Sequence, residues 1–377
     1  MKLAILAQAY LLDPIITING TLVQLYNLSH GFAKAGVEVH YIAATKNANK
    51  PQREVVNGIH FYWIYTKGGI LDWHKDMKKY KTILEAVKPK AVYVRGRNVL
   101  QYVAGKYAEK HHINYVWGTN GDDSAELWKN VKRLKNTNKS LVKKIALWPL
   151  KAFEDSYINK GMKLTSTIIN QSVHQQKETK RLLDKYGIVI PSFFLRAEHQ
   201  FKKENTILWL ANLSPGKQPD LFVRLMNECS QEGWNAILGG GTSDKNYEDE
   251  IRSSIEKDAI SMKGQIEFED SFEFYQSSKI YINTSQPEAD GLPNAYIQSW
   301  LNGTVVLSLH HDPNRWMETY NIGFCSHGDF EALKVRLQQL INTPEELQVM
   351  SDNAIAFAKE TFANQAILDE YVKLFEK

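Results

Sequence analysis

KIYINTSQPEADGLPNAYIQSWLNGTVVLSL, residues 279–309, reads as strand, helix, strand. One apolar run ends near Ser285 and another begins at Thr304. Between them Gly291-Leu-Pro-Asn opens a helix-length segment that Asn302-Gly303 closes. Pro293 suits a first helical turn, where a missing N–H costs nothing, and Gly303 accepts the positive φ of a helix stop. The helix start presents unpaired amides and roughly half a positive charge, a site suited to phosphate.

The same alternation runs along the whole chain. In the first half the strand candidates are KLAIL, VEVHYIA, IHFYWIY, AVYV, INYVW and TSTII, with helices between them such as Thr21–Ala35 and Val99–His111. The pattern breaks at YGIVIPSFFLRAEHQFKKENT, around Pro191, and restarts with TILWLA, WNAILGG, KIYINTS and TVVLSL. Apolar runs alternating with amphipathic helices predict an α/β protein with parallel sheets. Two Rossmann-like, doubly wound domains are expected, 1–195 and 203–377, with the last helix available to pack back on the first domain. Such sheets bind ligands beyond the carboxyl ends of their strands. Seven loops occupy those positions: Gly20 in TING, Arg95 after AVYV, GTNGDD (118–123), ANLSPGK (211–217), GGG (239–241), ADGLPN (289–294) and HHDPN (310–314). A cleft between the domains is the expected site.

At 377 residues the chain exceeds one ordinary core, and its 43% hydrophobic and 23% charged residues are those of a globular protein. The apolar opening MKLAILAQAYLL is interrupted by Gln8 and lacks a small-residue cleavage site, so it reads as a buried first strand rather than a leader. Two cysteines, Cys229 and Cys325, form neither a disulfide framework nor a metal spacing. A cytoplasmic location is expected. Residues 1–200 hold 31 Lys/Arg against 15 Asp/Glu, net +16, and the remainder hold 15 against 27, net −12. A basic half suggests contact with a polyanion or an anionic membrane. Its densest part, KNVKRLKNTNKSLVKKIALWPLK (129–151), interleaves cations with Val131, Leu134, Leu141, Ile145, Leu147 and Trp148. Two readings stand: an amphipathic helix resting on the inner membrane face, or a merely solvated helix. Nucleic acid is not expected, since no binding motif accompanies the charge.

On these motifs the chain resembles the family 4 glycosyltransferases, retaining enzymes of the GT-B fold. The resemblance is carried by ILWLANLSPGKQPDLFVRL, SMKGQIEFED, the 279–309 stretch with its HHDPN extension, and the closing GDFEALKVRLQQLINTPEELQVMSDNAIAFAKETF. NGTLVQLYNLSHGFAKAGVEVHYIAA and IINQSVHQQKETKRLLDKYG extend it more weakly into the first half. It implies transfer of a sugar from a UDP- or GDP-sugar to an acceptor hydroxyl of a carbohydrate or lipid-linked acceptor, with no cofactor and no metal.

The resemblance also implies roles. Asp290 stands where the family's first acid binds the transferred sugar, while Gln298 replaces the second acid, which holds the nucleotide ribose; an amide still hydrogen-bonds a neutral hydroxyl. Lys217 matches the lysine that neutralises the departing diphosphate, but Asn212 occupies the place of its partner arginine. Arg95 is a candidate to supply the missing charge, with pairing to a neighbouring carboxylate as the alternative. No histidine stands in GTNGDD, so Asp122 or Asp123 would orient the acceptor or take its proton. Gly20, Gly240, Gly264, Gly291, Leu292, Pro293, Asn294 and His311 complete the substrate-binding candidates. The altered positions leave a second reading open, a degenerate nucleotide-sugar-binding protein. An NAD-dependent oxidoreductase is disfavoured because no GxGxxG opens the first helix.

Overall fold

The structure, a computed structural model, describes residues 1–13, 19–69, 71–137, 139–195, 202–229, 232–242, 244–287 and 292–376. It divides into two units, Met1–Leu195 with Asn364–Lys377, and Arg196–Ala363. The chain runs β1 (Lys2–Ala7), α1 (Gly20–Lys34), β2 (Glu38–Thr45), β3 (Arg53–Val56), β4 (Ile59–Tyr65), α2 (Asp72–Val87), β5 (Ala91–Arg95), α3 (Leu100–His111), β6 (Asn114–Gly118), α4 (Lys129–Lys135), α5 (Leu141–Leu164), β7 (Thr167–Asn170), α6 (Val173–Leu183) and β8 (Ile188–Val189). It continues through β9 (Glu204–Leu210), α7 (Pro219–Cys229), β10 (Asn235–Gly239), α8 (Lys245–Ser253), β11 (Ile260–Gly264), α9 (Phe268–Ser277), β12 (Ser278–Asn283), α10 (Asn294–Leu301), β13 (Val305–Ser308), α11 (Trp316–Tyr320), β14 (Gly323–Cys325), α12 (Phe330–Asn342), α13 (Pro344–Phe362) and α14 (Gln365–Phe375).

The first unit is built on an eight-stranded sheet ordered β3-β4-β2-β1-β5-β6-β7-β8, parallel except for the β3–β4 pair. Successive strand residues face opposite sides, and both sides are covered. Leu3, Ile5, Val39 and Tyr41 therefore join α1 and α14 in one core, while Ala4, Leu6, Ile42, Val92 and Val94 join α2 and α3 in another. Coverage on both faces is why these strands are continuous apolar runs in the sequence. The second unit has six parallel strands ordered β11-β10-β9-β12-β13-β14 around its own core of Trp209, Phe222, Ile280, Ile282, Val305 and Leu307.

Four strands escape an apolar-run reading because they are short or polar: β3, β8, β11 and β14. The turn between β3 and β4 nevertheless carries a readable signal, since Asn57 and Gly58 take φ values of 50° and 77°, as a tight hairpin requires. The basic stretch 129–151 is not one helix. It is divided between α4, whose Val131 and Leu134 are buried, and the start of α5, where Leu141, Val142, Ile145 and Trp148 are exposed. Only the second half of α5 packs: Gly161 lies so close to α3 that a Cβ there would sit 2.4 Å from the Tyr102 amide nitrogen.

A buried ion pair fixes this region. Arg97 Nη2 lies 2.6 Å from Asp155 Oδ1, with both side chains almost fully enclosed. The same carboxylate accepts the amides of Asn130 at 3.3 Å and Val131 at 3.0 Å, so it also holds the first turn of α4. Arg97→Ala would strand that charge, and urea unfolding is expected to show a loss of about 3–5 kcal/mol.

Candidate functional site

In the second unit the winding reverses between β9 and β12: the chain moves outward from β9 through β10 to β11, and from β12 through β13 to β14. Ligands of open parallel sheets bind beyond the strand ends at such a reversal. The loops leaving these two strands are joined by a small hydrogen-bond net. The Thr284 hydroxyl donates toward the carbonyls of Lys217 at 2.9 Å and Gln218 at 2.7 Å. It also accepts the Trp209 indole N–H at 3.0 Å. The Gln286 amide donates to the Gly216 carbonyl at 2.9 Å, and the Lys217 amide closes its own turn on Ser214 at 2.9 Å. Lys217 therefore stands, half-buried, on a turn whose backbone is held from two sides.

The β10 and β11 ends pack against the same loop. Ala211 and Leu213 donate to the carbonyls of Gly239 and Gly241 at 3.1 and 3.0 Å, and Gly240 donates to Gly264 at 2.7 Å. Gly240 has φ +151°, and a Cβ there would lie 1.7 Å from the Ala211 carbonyl oxygen, so no other residue fits. Gly264, at φ +69°, faces open space, and Asn212 is exposed.

On the β12 side, Asp290 and Gly291 lie outside the described residues, as does Glu288. Leu292 and Pro293 are half-buried. The helix begins at Asn294 with Pro293 as its cap (φ −67°, ψ 131°), one position later than a first-turn proline implies. The buried Tyr296 hydroxyl donates to Ser308 Oγ at 2.8 Å and toward the His311 carbonyl at 3.3 Å. The His311 amide donates to Ser308 Oγ at 2.9 Å, and its Nε2 lies 2.9 Å from the Gln286 carbonyl, which fixes Nε2 as the protonated nitrogen. Gln298 is 7% exposed, and among the described residues its side-chain amide makes no hydrogen bond. Lys217, Gln286, Asn294 and His311 are thus brought to one end of one sheet. Thr284, Gln286, Tyr296 and Ser308 were not anticipated. Their only signal is position: Thr284 and Gln286 lie just past the end of β12, Tyr296 in the first turn of α10, and Ser308 at the last position of β13.

The first unit reverses between β1 and β5. Gly20 opens α1 behind the Asn19 cap, whose Oδ1 accepts from Thr21 and Leu22 at 3.1 and 3.2 Å. Asn120 Nδ2 donates to Thr21 Oγ1 at 2.6 Å, which brings the 118–124 loop against that helix start. Asp122 is exposed and accepts from Gln175 Nε2 at 3.2 Å. Asp123 is engaged by Lys129 at 2.5 Å and Arg133 at 3.2 Å. Burial works against its charge, but those two cations outweigh it and hold the carboxyl below its usual range, which makes it a poor proton acceptor.

Arg95 requires a correction. Its side chain is 1% exposed, and Nη1 donates to the hydroxyls of Tyr93 at 2.9 Å and Tyr371 at 3.4 Å, inside the first unit. Among the described residues it pairs with no carboxylate, and it presents no cation outward, because the tyrosines of β5 and α14 enclose it. Among the described residues no group of three or more His, Cys, Asp or Glu is placed to hold a metal.

Thr284→Val keeps the shape of that side chain but leaves the buried Trp209 N–H unsatisfied. A loss of about 1–3 kcal/mol is expected in chemical denaturation, with weaker nucleotide binding as the Lys217 turn loosens.

Residues 192–357 match the family described as Glycosyl transferases group 1. No protein of curated function matches the sequence closely. Among solved structures, a sucrose-phosphate synthase from Thermosynechococcus elongatus superposes with TM-score 0.71 at 14% identity, covering 99% of this chain and 98% of that one. A mutant TarM of S. aureus, solved in complex with fondaparinux, alpha-GlcNAc-glycerol and UDP, gives TM-score 0.63 at 14% identity, with 100% of each chain covered. WaaG, a glycosyltransferase involved in lipopolysaccharide biosynthesis, gives 0.66 at 10% identity, with 99% of each chain covered. The chain is similar to all three in fold.

Proposed function

We propose, for a chain of GT-B fold whose residues 192–357 match the group 1 glycosyl transferases, a retaining transfer of sugar from a UDP- or GDP-sugar to an acceptor hydroxyl, without a metal. One observation carries this reading: the Lys217 turn and the β12–α10 loop are hydrogen-bonded to each other at the winding reversal of the second unit. That arrangement offers an ammonium and a helix start to a diphosphate as it acquires charge. Asp290 would bind the transferred sugar and Gln298 the ribose, with Gly240, Gly264 and His311 lining the donor. Attack and departure on the same face need no protein nucleophile. With Asp123 held in ion pairs, Asp122 is the better candidate to orient the acceptor, on the loop that Asn120 ties to the start of α1.

A specific observation favours the degenerate reading as well. Asn212 and Gln298 stand where the family has charged groups, and Arg95 is enclosed rather than offered. A panel of UDP- and GDP-sugars separates the two: slow nucleotide release, unaffected by EDTA and retaining at the anomeric carbon by NMR, supports the enzyme. Binding without release supports the degenerate form. For the enzyme, Lys217→Ala should lower kcat by about 10²–10³-fold with a smaller change in donor KM. Unchanged turnover would remove Lys217 from the mechanism.

The acceptor reading is a glycan or lipid-linked glycan of cell-surface polysaccharide assembly, with peripheral attachment to an anionic membrane. No helix among the described residues is long and apolar enough to cross a membrane. Leu141, Ile145 and Trp148 are 72%, 65% and 51% exposed at helical spacing, flanked by Lys143 and Lys144, as an interfacial helix requires. Sedimentation with phosphatidylglycerol vesicles is expected at low salt and should be abolished by Ile145→Glu with Trp148→Glu. Sedimentation of that double variant at the wild-type level would show that α5 is not the anchor.

A further inference from the structure

A cavity of about 660 Å³ lies in the first unit, apart from the loops around Gly20 and Asp122. It is formed by the turn after β2, the β3–β4 hairpin and the exposed face of α2. Its size falls within the roughly 300–1,000 Å³ of ligand sites. Three aromatic residues line it, Tyr62, Trp63 and Tyr65, together with three cations, Lys50, Arg53 and Lys79, and no carboxylate is among its lining residues. The cations stand over the rings: Lys50 Nζ lies 3.7 Å from the centre of the Trp63 ring and the Arg53 guanidinium 5.3 Å from that of Tyr62.

This wall is built rather than incidental. Arg53 and Tyr62 are partners across the hairpin. The Trp63 indole is oriented by Glu54 Oε1 at 2.6 Å, and that carboxylate stands 4.0 Å from Lys50. Lys79 is held between the Tyr65 carbonyl at 3.0 Å and Asp76 at 2.8 Å. The Asn47–Lys50 turn closes on itself at 3.3 Å. Glu54 and Asp76 offset Lys50 and Lys79, whereas Arg53 has no carboxylate partner among the described residues, which leaves an excess of positive charge in the lining.

With Lys50 and Arg53 lying over Trp63 and Tyr62, the ring left open to the C–H face of a pyranose is that of Tyr65, 44% exposed, and ammonium and guanidinium groups take anionic substituents. The site is concave, whereas a membrane surface requires protruding apolar side chains such as those of α5. We propose that this cavity binds an anionic oligosaccharide, a chain carrying sulfate, phosphate or carboxylate groups. Describing that chain as the acceptor rests on the transferase reading above, and the ends of β2 and β4 lie at the same rim of the sheet as the Gly20 and Asp122 loops. Binding itself needs no donor and no turnover.

Titration calorimetry of the full chain with a chondroitin sulfate hexasaccharide, without nucleotide, tests the proposal. Binding should weaken as salt rises, and uncharged maltohexaose should bind at least about tenfold more weakly. Lys50→Gln with Arg53→Gln, both at the cavity mouth, should weaken binding by about tenfold or more with the thermal melt unchanged. Tyr65→Ser, at constant charge, should weaken it by about threefold. Lys143→Gln with Lys144→Gln on α5 should leave it intact. Wild-type affinity in the Lys50/Arg53 variant, loss in the α5 variant instead, or equal affinity for maltohexaose would each overturn the assignment. So would an oligodeoxynucleotide of equal charge that binds as tightly. None of these outcomes depends on whether the chain transfers sugar.

Discussion

The hydroxyl of Thr284 connects the parts of the second unit that matter most. Standing just past the end of β12, it accepts a hydrogen bond from the Trp209 indole N–H of β9 and donates its own toward the carbonyls of Lys217 and Gln218. Because β9 and β12 are neighbours in the sheet while their crossovers lead in opposite directions, the loops above them separate unless something bridges the gap. The bridge combines one buried hydrogen bond, from Trp209, with two half-buried ones to the Lys217 turn, and the enclosed bond is the expensive one to break. His311 adds a second tie through Gln286, so the turn carrying the lysine is fixed before any ligand arrives.

The first unit handles charge differently. Its excess cations are distributed over four settings: enclosed with tyrosines at Arg95, paired at Arg97 and along α4, exposed at the start of α5, and lining the cavity. Enclosed and paired cations contribute to structure. The exposed ones and those in the cavity beside the β3–β4 hairpin remain for partners. A net charge summed over half a chain says only that such partners are anionic. The placement of aromatic and aliphatic side chains beside each group of cations distinguishes a surface from a pocket.

Much of the fold was legible because the sheets are covered on both faces, which turns strands such as KLAIL and AVYV into unbroken apolar runs. The strands that were missed, β3, β8, β11 and β14, lie at or next to sheet edges or span only two to five residues, where burial no longer dictates composition. The positions of the loops beyond the strand ends of the second unit were legible for the same reason, since strand ends locate them. What was not legible is pairing at a distance. Arg95 looked available because a strand end usually presents its last residue, yet one of its two hydroxyl partners lies 276 positions away in α14. Asp123 looked like a base until Lys129 and Arg133, on the next helix, were seen to engage it.

α14 buries Ile367, Leu368, Tyr371, Leu374 and Phe375 in the same core as Leu3, Ile5 and Phe32. During synthesis, every residue of the second unit leaves the ribosome before this strip does. The older unit must therefore wait with one flank of its sheet uncovered, and its greasy seam stays open to chaperones, or to other nascent copies, for as long as the younger unit takes to emerge. Folding order is thus inverted with respect to translation order: the lobe begun first is the lobe completed last.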